Sequence, residues 1–554
     1  MKKKIAFLLA VSFLAVGCKK TDTTSSTSAA PVSSSTKTEP KLDKDLAILY
    51  TNDVHCQVGD AKTAGYSELA SYKKKLLSEN KYVTLVDCGD AIQGGAIGTL
   101  SKGSYIVDIM NKVGYDVAIP GNHEFDYGAQ NFVTLSEKAN YEYVSANFMD
   151  LSTNKTVFKP YTIKDYNGVK IAYVGITTPN TITSSAPKYF QDDNGNYLYG
   201  FCQDKTGEKL FKAVQDAVDS AKAEGANYVV GLGHLGTTED CSPYMSSEVV
   251  SKTNGIDVML DGHSHSIVES KRVKNKDGKY IPISSTGTKF ESFGMLYLTK
   301  EGSLSSGLIS DYATKDEETT NYIATINEKF ADKLAEKIGT STVDLNISNS
   351  EGTRIVRNHE TNLGDLCADS YRASAEGTDI GIINGGGVRV AVKKGDITYG
   401  QIISVMPFNN MLCQVELTGK QIVTALEWGA RKAPEENGGF LQVSGLSYEI
   451  DSTIPTPCVA DANGIFESIG ETHRVKNVKV GTADIDLTKT YKVVGTTYTI
   501  TNMGDGFSMF KGCNVLLNEY MVDNQALIDF VKKNLSGTIP ESYKDPAGRI
   551  TVNY

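Results

Sequence analysis

Five times between Leu46 and His265 a short run of β-branched, aliphatic and aromatic residues ends in a cluster of Asp, Gly, Asn or His. Leu46–Tyr50 leads to Asp53 and His55, Tyr82–Val86 to Asp87, Gly89 and Asp90, and Val117–Ile119 to Gly121, Asn122 and His123. Tyr228–Leu232 leads to Gly233 and His234, and Val258–Leu260 to Asp261, Gly262, His263 and His265. Between these runs apolar residues recur at helical spacing: Leu69, Tyr72 and Leu76, then Leu210, Val214, Ala217 and Ala221 bracketed by Gly207 and Gly225. Such alternation predicts an α/β fold with helices packed on sheets. In folds of this class strand ends face a shared crevice, so side chains far apart in sequence converge there.

What converges is metal-binding chemistry. Only seven histidines occur, at positions 55, 123, 234, 263, 265, 359 and 473, and the first five each follow a predicted strand. A lone histidine after a strand is ordinarily a core or surface residue; five beside Asp53, Asp90 and Asn122 reverse that reading. Neutral imidazole, carboxylate and amide oxygen are donors for divalent transition ions, and two neighbouring ions need a carboxylate that reaches both. Asp90 is the natural bridge. Gly89, Gly121, Gly233 and Gly262 let the backbone turn beside the ions, while Asp87 and Asp261 are read as supporting carboxylates.

The 554 residues allow two large domains, and a hydrophobic fraction of 40% excludes a fully disordered chain. With 66 acidic and 56 basic side chains the net charge is -10, which excludes a broad basic face for a nucleic-acid polymer. An anionic substrate must be met locally. At the N-terminus Lys2, Lys3 and Lys4 precede the apolar run Ile5–Val16, too short to span a ~30 Å hydrocarbon core. Ala15 and Gly17 before Cys18 resemble a bacterial lipoprotein cleavage box. Residues 1–17 therefore read as a signal peptide and Cys18 as the lipid anchor of an exported protein, periplasmic or at the cell surface. Residues 18–45, rich in Thr, Ser, Pro and Lys, read as a tether. The other eight cysteines contain no CxxC pair and are taken as core thiols. A first domain over 46–311 is followed by a charged stretch, 312–340, where Ile323, Ile326, Phe330 and Leu334 predict one connecting helix from about Lys315 to Lys337. A second mixed region fills 341–554, with helices predicted over Leu363–Ala375 and Gln421–Arg431.

The motifs TNDVHCQV (Thr51 to Val58), DCGDAIQGG (Asp87 to Gly95), GNHEFDYG (Gly121 to Gly128), GLGHLG (Gly231 to Gly236) and DGHSHS (Asp261 to Ser266) resemble, in order and spacing, those of the calcineurin-like metallophosphoesterases. TNLGD (Thr361 to Asp365), INGGGVR (Ile383 to Arg389), MPFNN (Met406 to Asn410), GGFLQVSG (Gly438 to Gly445) and GDGF (Gly504 to Phe507) resemble the bacterial and animal 5′-nucleotidases within that family. The resemblance covers essentially everything after the tether. It implies a two-layered sheet sandwich flanked by helices, a separate mixed α+β domain that binds the substrate, and a hinge between them that permits closure. It also implies metal-dependent release of phosphate from nucleoside 5′-phosphates by attack of a metal-activated hydroxide.

Carried over position by position, the resemblance puts Asp53, His55, Asp90 and His265 on one metal and Asp90, Asn122, His234 and His263 on the other. Zn, Mn, Fe and Co all suit such donors. His123 and Asp126 match the catalytic dyad, an imidazolium held by a carboxylate that stabilises charge on the phosphoryl group. Arg357 and Arg389, with Asn384 and Gly386 between them, match the phosphate clamp. Phe408 matches one of two aromatics that sandwich the base, and Asp505 the carboxylate for the ribose hydroxyls. Two positions depart from the pattern: Thr499, with Tyr498 beside it, replaces the second aromatic, and Met503 replaces a glycine before Gly504. Loss of a ring predicts shallow base discrimination and admits other esters: 2′,3′-cyclic nucleotides, 3′-nucleotides or nucleotide sugars. A non-catalytic surface binding protein is the other class of reading, and intact Asp90, Asn122 and His123 speak against it.

Overall fold

The computed structural model describes residues 40–59, 63–192 and 194–554. The signal segment, Cys18 and the tether up to residue 39 lie outside the described residues. Leu42 already joins a buried cluster, and Asp45 accepts hydrogen bonds from the Tyr297 hydroxyl and the Lys300 backbone, so these two residues of the expected tether pack with the first domain.

The first half is the expected sandwich. One six-stranded sheet runs in the order Leu304–Ile309, Phe293–Leu298, Leu46–Thr51, Tyr82–Asp87, Val117–Ala118, Glu142–Tyr143, with the last four parallel. The other runs Ile267–Lys274, Tyr280–Thr286, Val258–Leu260, Tyr228–His234, Val169–Thr177, Tyr161–Tyr166, with a parallel centre. Alternation along the strands splits their side chains between two cores. Leu46, Ile48 and Tyr50 point inward onto Ile171, Tyr173, Val230 and Leu232 of the facing sheet. Ala47 and Leu49 point outward onto Leu69 of helix Tyr66–Ser78 and Ile106 of helix Ser104–Val113. Helix Glu208–Ala223 covers the second sheet through Leu210, Val214, Ala217 and Ala221, the residues whose spacing predicts it.

The second half is built on a mixed sheet ordered Leu441–Ser444, Ile380–Asn384, Thr490–Thr496, Met411–Thr418, Asn514–Val522. Helix Asn362–Ala373 packs on one face around Ile383 and Val494, and helix Gly419–Gly429 on the other around Ile382 and Val493. Thr361 and Thr418 start these helices by accepting from Gly364 N and Gln421 N. The second helix ends two residues before the expected Arg431.

The connecting helix is two pieces, Glu317–Glu328 and Ala331–Ala335. Ile323 and Ile326 bury in the first core, whereas Phe330 leaves helical geometry at φ -122 and ψ -4, its ring 5.8 Å from Tyr105. Sequence spacing places Phe330 on the same stripe, but the helix is interrupted at that residue. All eight cysteines from Cys56 onward are free, and among the described residues no helix is long and apolar enough to cross a membrane.

Candidate active site

The five strand ends meet at one end of the sandwich. Beyond Leu46–Thr51 and Tyr82–Asp87 the two loops keep bonding to each other, Asp53 N to Gly89 O at 3.0 Å and His55 N to Asp90 O at 2.9 Å. Asp53, His55, Asp90, His263 and His265 all adopt positive φ, between +48° and +84°. Left-handed backbone costs a non-glycine residue of order ~1–3 kcal/mol, and such strain gathered in one place marks a functional constraint.

Two groups of donors result: Asp53, His55 and His265, and Asp53, Asp90 and His234. Asp90 Oδ2 lies 3.1 Å from His234 Nε2 and 3.8 Å from His55 Nε2, so this carboxylate reaches both groups. Asp53 Oδ1 also lies between them, 3.5 Å from His265 Nε2 and 4.0 Å from His234 Nε2. Asn122 Oδ1 is 3.3 Å from His234 Nε2, and the His263 ring centroid is 5.1 Å from that of His234. The set fits divalent cations on its own chemistry. His55 Nδ1 is within hydrogen-bond distance of Gln93 O at 3.0 Å and His234 Nδ1 of Cys88 O at 2.7 Å, which points each Nε2 lone pair into the cluster. Burial holds His55 and His265 well below the ordinary imidazole range, as neutral ligands require. Burial pushes Asp53 up, and against burial Asp90 and Asp53 favour a positive charge at His234, a charge that a cation held here would supply in its place. Two buried carboxylates so disposed call for positive charge between them.

Supporting groups surround the donors. Asp87 accepts from Thr51 Oγ1 and Gly89 N, and Asp261 from Leu235 N. Glu124, unmarked in the sequence reading, accepts from Asp90 N, Ala91 N and Gly121 N and fixes the bridge loop. Gly89 sits at φ +89, while Gly121 serves close approach: a Cβ there would meet Asp90 Oδ1 at 2.3 Å and His234 Cε1 at 2.9 Å. Gly121→Ala is therefore expected to lower metal affinity by roughly 10- to 100-fold, the usual cost of displacing a ligand's support. Equilibrium metal titration of the folded variant checks this; wild-type affinity would contradict it.

His123 N donates to Asp90 Oδ1, and His123 Nδ1 lies 2.5 Å from Asp126 Oδ2. Burial alone would lower this imidazolium, but Asp126 and Asp90 outweigh it and the net shift is upward. Ser185 Oγ braces Asp126 at 2.8 Å, a contact with no signal in the sequence.

Across a cavity of about 1240 Å³ stands the second domain, which contributes Arg354, Arg357, Asn384, Gly386, Arg389, Phe408, Tyr498 and Asp505 to the wall. Among the described residues Arg357 Nε is buried without a partner, and burial pulls this guanidinium down to about 9, with Arg354 and Arg389 adding to the effect. Burial likewise brings Arg389 down to about 10. A crowd of cations holding an orphaned buried donor suits an anion. Arg354, missed by sequence reasoning although it lies three residues before Arg357, pairs through its fork with Glu436. Phe408 lies 5.7 Å from the His123 ring and equally far from Arg389 Cζ. Thr499 is buried, 2% exposed, behind this wall, and Tyr498 is the ring that lines the cavity. A ring next to Thr499 thus stands in the same cavity wall as Phe408. The Tyr498 hydroxyl donates to Thr183 O and Ser184 O of the first domain, both at 3.2 Å, and its ring covers Gly504. Met503, at φ +59, accepts the left-handed conformation that its glycine counterpart would adopt freely, at ~1–2 kcal/mol.

Carboxylates and imidazoles gathered from five strand ends, facing buried arginines, define a metal-dependent phosphoesterase. Residues 46–266 match the family described as calcineurin-like phosphoesterase, and residues 337–512 the 5′-nucleotidase C-terminal domain. The chain belongs to the 5′-nucleotidase family, phosphoric monoester hydrolases of calcineurin-like fold that use two divalent metal ions. It is 26% identical over 540 residues to the 5′-nucleotidase of Vibrio vulnificus (strain CMCP6), covering 88% of this chain and 90% of that one. It is 29% identical over 517 residues to the trifunctional nucleotide phosphoesterase protein YfkN of Bacillus subtilis (strain 168), covering 84% of this chain and only 32% of that longer relative. Among solved structures, the 5′-nucleotidase precursor from Thermus thermophilus aligns with a TM-score of 0.76 at 27% identity, over 92% of this chain and 99% of that one.

Proposed function

We propose that this chain releases phosphate from nucleoside 5′-phosphates, with the first domain performing the chemistry and the second holding the nucleotide. The observation that carries the reading is one cavity in which the Asp53, Asp90 and histidine cluster faces Arg357 and Arg389, with Phe408 and Tyr498 beside them. Asp53, His55, Asp90 and His265 would hold one cation and Asp90, Asn122, His234 and His263 the other. The two cations would supply Lewis acidity at the phosphoryl oxygens and a water acidified to hydroxide. His123, whose charged form Asp126 favours, donates to a phosphoryl oxygen as negative charge grows there. Arg357 and Arg389 clamp the remaining oxygens beside Asn384 and Gly386, and Asp505 takes the sugar hydroxyls.

Stacking against Phe408 acts on bound substrate and transition state alike. Phe408→Ala is thus expected to raise KM for AMP by roughly 5- to 100-fold with kcat within a few-fold, as loss of one stacking contact implies. Steady-state kinetics checks this, and a fall confined to kcat would contradict it.

The likeness to a protein named trifunctional nucleotide phosphoesterase favours a second reading, in which cyclic, 3′- or sugar-linked phosphoesters also enter. Relative kcat/KM for AMP, 3′-AMP, 2′,3′-cyclic AMP and a nucleotide sugar separates the two. Preference for AMP supports the first reading, and preference for any of the others replaces it. Export as a lipoprotein through Cys18, and closure of the domains about residues 312–340, belong to the same proposal. They are supported by the N-terminal sequence pattern and by the division of metal and phosphate groups between domains.

A further inference from the structure

Arg431 stands in the wall of the same cavity, outside every motif that marks the site. Because helix Gly419–Gly429 stops short of it, its side chain turns to the cavity instead of continuing the helical surface. The guanidinium lies 3.9 Å from the Trp428 ring centroid, and Nη1 donates to Trp428 O at 2.8 Å. Stacking fixes the plane of a long side chain, so less freedom is lost when it binds. Trp428 in turn donates from Nε1 to Asp505 O at 2.8 Å, and its indole fills the space beside Gly506, where a Cβ would meet Cζ2 at 2.9 Å. The indole is thus a common base for Arg431 and for the loop that presents Asp505.

Asp505 itself is held at φ +53, with Oδ2 accepting from Asn384 Nδ2 at 3.0 Å and Oδ1 on the side of Gly438. Asp505 is the strongest charge opposing the downward pull of burial on Arg431, yet among the described residues no ion pair within 4.0 Å joins them. A donor-only and an acceptor-only group resting on one indole offer complementary partners to a vicinal diol. One hydroxyl donates a hydrogen bond to the carboxylate, and a sugar oxygen accepts one from the guanidinium. A closed Arg–Asp pair would satisfy both groups without a ligand. An anionic substituent on the diol would meet Asp505 as well as Arg431, so the pair favours the free diol.

We propose that Arg431 is a specificity-determining residue that, with Asp505, reads the 2′,3′-diol of the substrate's ribose. The inference deepens the nucleotidase reading and rests on it. The test is kcat/KM for AMP, 2′-deoxy-AMP and 2′,3′-dideoxy-AMP, measured on the metal-loaded full chain and on Arg431→Gln and Arg431→Lys. In Arg431→Gln the preference for AMP over the dideoxy nucleotide is expected to shrink by about 10- to 100-fold, the worth of hydrogen bonds to one charged group. Arg431→Lys, which keeps the charge and loses the fork, is expected to retain an intermediate preference, and it carries the test if Arg431→Gln does not fold. An equal fall on all three nucleotides, or an unchanged preference, in the folded variants would overturn the inference. Wild-type protein that releases no phosphate from AMP would instead overturn the nucleotidase reading itself, and the inference with it.

Discussion

Exchanging Asp90 for Asn is expected to lower phosphate release from AMP by at least roughly 10³-fold, more than the loss of one ordinary electrostatic group. Asp90 is the carboxylate that approaches both His234, at 3.1 Å, and His55, at 3.8 Å, while its other oxygen accepts from His123 N. A carboxamide keeps the shape but removes the charge, and in one of its two orientations sets an N–H₂ against nitrogen donors. Metal content is expected to fall with activity. His359→Ala is the comparison. That half-buried side chain contacts Asn358 and Tyr554, away from the cavity, and its loss is expected to leave the rate within a few-fold. Equal losses in the two variants would sink the assignment of Asp90.

His123→Ala is expected to cost roughly 10²–10⁴-fold in kcat, the range of a single positioned acid or electrostatic group, with both metals retained. The separation follows from geometry. His123 Nδ1 is engaged by Asp126, and His123 stands in neither donor group, although its ring is only 5.3 Å from His55. Asp126→Asn is expected to show a smaller loss, because the imidazole keeps its place while losing the carboxylate that favours its charged form. Metal analysis alongside kinetics decides the matter: His123→Ala without metals would make it a structural or ligating residue.

The strand ends were legible because their chemistry is local. A β-branched run followed by Asp, Gly and His predicts both the strand and the place where its side chains emerge, and the structure brings Asp53, His55, Asp90, His234 and His265 together from such runs. That Leu46 to Tyr50 divide their side chains between two cores, by contrast, emerges only from the fold, because the run is apolar throughout. Contacts that depend on a distant partner were not legible either. Ser185 reaches Asp126 from 59 residues away, and Glu124 serves the Asp90 loop from more than 30. Phe330 repeats the helical stripe of Ile323 and Ile326, yet the helix stops before it and the ring meets Tyr105 of a distant helix. Tyr498 and Thr499 differ by one position in a single turn, and only the fold decides which faces the cavity. Nor does sequence spacing reveal that Asp53, His55, Asp90, His263 and His265 hold left-handed backbone, a region that only a small minority of non-glycine residues of any type enter.

Metal-dependent hydrolysis of a nucleoside 5′-phosphate is the central claim, and one assay reaches it directly. Phosphate release from AMP is followed in the protein as supplied with Mn or Zn, after exhaustive treatment with EDTA, and after the cation is restored. The predicted result is turnover with the cation, a fall of at least roughly 100-fold after chelation, and recovery on addition of cation alone. Turnover of AMP that survives complete removal of metal, or a fully metal-loaded protein that leaves AMP intact, would contradict the claim.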